Sequence, residues 1–106
     1  MEDRELLELA GKAAGVRKDK NGSFYDDTRL GKEWLPFYDD TDALRLAVKL
    51  GMNLSLPGPN TVFVVCDIGN SKVILENATQ DPYEATRRAI VRAASELAKA
   101  KIEWEE

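Results

Sequence analysis

The chain contains no histidine and one cysteine, Cys66. Those two scarcities exclude several mechanisms together. Without histidine, one chain can build neither a Ser-His-Asp triad, nor a Cys-His dyad, nor a His-ligated zinc site. With one thiol, no disulfide forms within the chain, so nothing points to an oxidising compartment. Basic charge is also in short supply. Fifteen Lys and Arg face nineteen Asp and Glu, for a net charge of −4. Nucleic acid and anionic membranes are bound through a basic footprint, and this balance argues against both. No apolar run approaches the length of a membrane span. The opening residues, Met1-Glu2-Asp3-Arg4-Glu5, are charged and lack the apolar core of a signal peptide. The expectation is a cytosolic protein without cofactor, and not an enzyme.

What is present fits an ordinary folded domain. Apolar residues make up 43% of the 106-residue chain and charged residues 32%. That is enough for one core and one domain over residues 1–106. Leu6, Leu9, Ala10 and Ala13 recur at helical spacing and predict a helix over about Glu2 to Ala14, stopped by Gly15. Lys20-Asn21-Gly22-Ser23 reads as a turn between two short strands, Val16–Lys18 and Ser23–Tyr25. Residues 31–36 read as loop, with Trp34, Phe37 and Tyr38 anchoring it to the core.

The most informative stretch runs from Asp39 to Met52. Asp39, Asp40 or Thr41 caps a helix, and acidic residues suit its positive end. Ala43, Leu46, Ala47 and Leu50 form its apolar stripe, broadened by Leu44 and Val48, which predicts a largely buried helix. Arg45 and Lys49 mark the remaining wet face, and Gly51 ends it. Asn53–Leu56 alternates as a half-buried strand, and Pro57-Gly58-Pro59-Asn60 breaks it. Thr61–Asp67 is apolar on both faces, as in a strand covered on two sides. A turn at Gly69-Asn70 leads to Lys72–Glu76, paired antiparallel. Asp81-Pro82-Tyr83-Glu84 opens a third helix with a capping aspartate and a proline at its first position. Its predicted inward face is Tyr83, Thr86, Ile90, Ala93, Ala94 and Leu97. Glu84–Arg88 and Arg92–Glu96 are spaced as charge pairs along it. Three helices and a mostly antiparallel sheet, with one strand apolar on both faces, predict an α+β fold in three layers, an α/β/α sandwich.

Two groups of residues invite a functional reading. Asp39, Asp40 and Asp42, with Asp26 and Asp27, supply carboxylate oxygens of the kind that bind Mg²⁺ or Ca²⁺. Their spacing fits no EF-hand loop; helix capping explains Asp39 or Asp40, and dipole complementarity explains Asp42. Arg87, Arg88 and Arg92 offer a basic strip for an acidic partner, set against salt bridges on a solvated helix face. Trp104, which lies among glutamates past the regular stripe, is the best candidate for a contact residue if exposed. Cys66, in an apolar strand, reads as a small inert hydrophobe.

Trp34-Leu35-Pro36-Phe37-Tyr38-Asp39-Asp40-Thr41-Asp42-Ala43-Leu44-Arg45-Leu46-Ala47-Val48-Lys49-Leu50 resembles the hallmark of the phage ABA-sandwich domain proteins, where a Trp-x-Pro loop and an acidic cluster lead into a helix of similar wording. Asp81–Ala94 is similar to the family's last helix, and Glu5–Gly15 to its opening. The resemblance spans nearly the whole chain except the middle strands. It implies a phage- or prophage-encoded protein in a bacterial cytoplasm and the same three-layer fold. It implies no catalytic residues. A host or phage protein is the expected partner, and a bacterial defence system is one expected target. A small-ligand or divalent-metal module built on Asp39–Asp42 is the alternative.

Overall fold

The computed structural model describes residues 2–27, 30–56, 63–67, 73–78 and 80–105. Among the described residues, three helices and two antiparallel three-stranded sheets make an α+β fold. Helix α1 spans Asp3–Ala14. A first sheet joins β1 (Arg17–Lys18), β2 (Phe24–Asp26) and β3 (Lys32–Glu33) in that order. Helix α2 spans Asp40–Lys49. The second sheet joins β4 (Asn53–Ser55), β5 (Phe63–Asp67) and β6 (Val73–Asn77), and α3 runs from Pro82 to Glu105.

The predicted punctuation is visible at both ends of α2, at the end of α1 and at the start of α3. Gly15 takes φ 72°, and its N–H bonds to Lys12 O while that of Val16 bonds to Gly11 O. Gly51 repeats the motif at φ 66°, with Gly51 N–H on Val48 O and Met52 N–H on Ala47 O. These paired bonds close a helix on a left-handed residue, where a side chain would be strained. Asp39 caps α2 through bonds from the Thr41 and Asp42 N–H groups. The Asp81 carboxylate receives the N–H groups of Tyr83 and Glu84 at 3.0 and 3.1 Å and so caps α3.

The first hairpin forms where expected, with Arg17 opposite Tyr25 and Lys18 opposite Phe24. Its loop is longer than an Asn-Gly two-residue turn. The Asp19 carboxylate gathers the N–H groups of Asn21 and Ser23, both at 2.9 Å, and that side chain sets the loop's length. Residues 31–36 are not all loop. Lys32–Glu33 pairs with β2 as a third strand, Tyr25 opposite Glu33 and Asp26 opposite Lys32. Two residues are too short a run for alternation to reveal.

Helix α3 lies between two apolar clusters. Ile90, Val91 and Ala94 pack with Leu6, Phe24, Trp34 and Leu46. Ala85, Ala89 and Ala93 pack on Cys66 and Ile74 of the second sheet. Alanine on the second face lets strand backbone approach closely, while the larger residues on the first fill the space left by α1 and α2. Val65 of β5 is half-buried and Cys66 buried, and the side chains of Phe63 and Val64 lie outside the described residues. So do the predicted break at Pro57–Asn60 and the turn at Gly69-Asn70.

Three packing expectations need correction. Tyr83 stands 69% exposed, because α3's inward face begins one turn later at Ala85 and Thr86. Tyr38 is 79% exposed, whereas Trp34 and Phe37 do anchor the loop. Among the described residues, helix α2 is covered on one side only. It buries Asp42, Ala43, Leu46 and Ala47 and turns Leu44 and Val48 to solvent.

Candidate functional site

The three aspartates at the start of α2 point to three different tasks. Asp39 forms the cap. Asp42, one turn into the helix, is 1% exposed, and a carboxylate so deeply placed needs compensating partners. Its Oδ2 accepts a bond from Lys32 Nζ at 2.7 Å and one from Leu35 N–H at 2.9 Å. Lys32 Nζ also sits 3.0 Å from Asp39 Oδ2 and donates to Glu33 O at 2.9 Å. Strand β3 therefore delivers one ammonium between two carboxylates, where a bound cation would otherwise stand. Asp40 turns away and meets Arg87 Nη1 at 2.6 Å. Asp27 lies elsewhere, paired with Arg17 at 3.1 Å. Among the described residues, no three His, Cys, Asp or Glu side chains gather closely enough to hold a metal ion.

This arrangement fixes a pH response. The hydrogen bond that Lys32 donates to Asp42 raises the Lys32 pKa above its ordinary 10.5, against an opposing effect of burial, with Asp39 adding to the rise. The hydrogen bond from Lys32 lowers the Asp39 pKa below its ordinary 3.8, helped by the capping N–H groups. A depressed carboxylate stabilises the fold above its unfolded pKa, and that contribution is lost as pH falls through the folded value. A raised ammonium stabilises below its unfolded pKa, and that contribution is lost as pH rises through the folded value. From this pair we expect no change in stability from about pH 5 to 9, a loss below about pH 4 and another above about pH 10.5. Urea melts across pH with Lys32→Met should flatten the alkaline limb; an unaltered limb would contradict the assignment.

The arginines are likewise engaged within the chain. Arg87 Nε donates to Phe37 O at 2.7 Å and so fastens α3 to the loop before α2. Arg88 donates twice to Asp3 Oδ1, at 2.9 and 2.7 Å, and lies 5.4 Å from the Phe37 ring centre. Arg92 bonds Glu76 on β6, and Arg88 Nε lies 3.9 Å from the same carboxylate. The sequence spacing showed partners four residues along the helix, while these bonds tie α3 to α1, α2 and β6. Arg88 and Arg92 are thus joined to carboxylates of the fold rather than held open. The side chain of Trp104 lies outside the described residues.

Cys66 is fully buried, with its Sγ 3.5 Å from Met52 Sδ. Burial pushes its thiol up to about 11, and Asp67 adds to the rise. A protonated, enclosed thiol is a poor nucleophile. Cys66 in the folded protein should resist a thiol reagent at pH 8 and react fully once denatured. Prompt labelling in native buffer would contradict this placement.

Beside the acidic cluster lies a surface that no residue motif announces. Leu44, Leu54, Leu56, Pro82, Tyr83 and Ile90 line a cavity of about 460 Å³ between α2, β4 and the start of α3. Leu44, Leu56 and Tyr83 are 59, 61 and 69% exposed. The charged groups at its edge, Asp40 and Arg87, bond each other. The only available signal was negative: α2 carries more apolar residues than one packing face can cover. Among the described residues no helix is long and apolar enough to cross a membrane. No family model, curated protein or solved structure matches the chain.

Proposed function

We propose that this is a non-enzymatic interaction protein, a three-layer domain of the phage ABA-sandwich kind, encoded by a phage or prophage and working in the bacterial cytoplasm. It acts by covering a surface of a host or phage protein, and inhibition of a bacterial defence protein is one form of that action. The observation that carries the reading is the open apolar groove lined by Leu44, Leu54, Leu56 and Tyr83. Single exposed apolar residues are ordinary, but several around one concavity mark a contact surface. Tyrosine and leucine beside a polar edge also match the make-up of interface centres. A small-ligand or metal module would instead need several polar groups converging on the cavity. Here Asp40 and Arg87 are spent on each other, and Asp39 and Asp42 on Lys32.

The test is partner capture from bacterial or phage-infected lysate with the wild-type chain and with Leu56→Asp and Tyr83→Asp. Both side chains are mostly exposed, so the variants should fold as the parent does. A partner retained by the wild type and lost by both variants is expected. Equal retention by all three would contradict the reading.

A further inference from the structure

We draw no further inference here: the strongest candidate, the exposed Leu44–Val48 ridge of α2 with an apolar groove on either side of it, carries none because nothing in the structure shows what covers it.

Discussion

Replacing Asp42 with alanine is expected to destabilise the fold by about 3 kcal/mol, lowering the melting temperature by roughly 10–20 °C for a domain of this size. Removal of one partner of a buried pair costs more than the pair contributes, because the other charge stays behind. Lys32 would keep Asp39 and can reach water, being 33% exposed at its side chain, and this holds the loss to the lower end of the usual range. Leu35 N–H would lose its acceptor as well, a further reason that alanine is worse than a simple loss of attraction. Asp42→Asn keeps an acceptor for Leu35 and should recover part of the loss. Asp39→Ala should cost about 1 kcal/mol, the value of a helix cap. Asp40→Ala should cost less than about 1 kcal/mol, since that carboxylate is 67% exposed and Arg87, itself 16% exposed, keeps its bond to Phe37 O. The expected order, Asp42 over Asp39 over Asp40, is checked by urea melts of the three alanine variants.

The second large effect is at Trp34. The ring is 4% exposed and meets Phe24 edge to face, at 6.1 Å between centroids and 67° between planes. It sits in the cluster that also holds Leu6, Leu46 and Ile90, so it joins the loop before α2 to both flanking helices. Its backbone N–H donates to Phe24 O at 2.8 Å and holds that loop beside β2. Trp34→Ala removes the largest ring of this cluster and leaves a cavity that Phe24 cannot fill, at a cost of about 3–5 kcal/mol. Trp34→Phe should cost less, since it keeps an aromatic edge against Phe24. Denaturant midpoints of the two variants check the order; a Trp34→Ala midpoint near that of the wild type would mean the loop is not fastened there.

The two effects differ in how visible they were beforehand. Trp34 beside Pro36 announces an anchor, because a large ring in a turn has few other uses. Helix ends were equally legible, since Asp39, Asp81, Gly15 and Gly51 act through bonds to their own neighbours. The Lys32–Asp42 pair was hidden. It joins residues ten apart, one of them on a two-residue strand without periodicity, and nothing local marks that lysine as a partner. The partners that α3's arginines find on other elements were hidden for the same reason. Spacing along one helix shows neighbours on that helix, while Asp3, Phe37 and Glu76 come close only once the fold has formed.

Leu44 and Val48 show the opposite limit. An apolar residue in a helical pattern registers as core, and pattern alone carries no information about whether a covering element exists. In α2 the supply of apolar residues exceeds what α1, α3 and the first sheet cover. That excess is the surface to which the interaction reading is tied, and it became visible only when exposure was known.

The aspartates at the head of α2 hold the fold, and the neighbouring apolar face is the surface we propose for meeting other proteins. The most direct measurement is the melting temperature of the wild type and of Asp42→Ala, each with and without millimolar Mg²⁺ or Ca²⁺. The expected result is a wild type indifferent to either cation and an Asp42→Ala variant that melts far lower in both conditions. A wild type raised by several degrees on adding a cation, with Asp42→Ala close to the untreated wild type and unresponsive, would instead make the cluster a metal site.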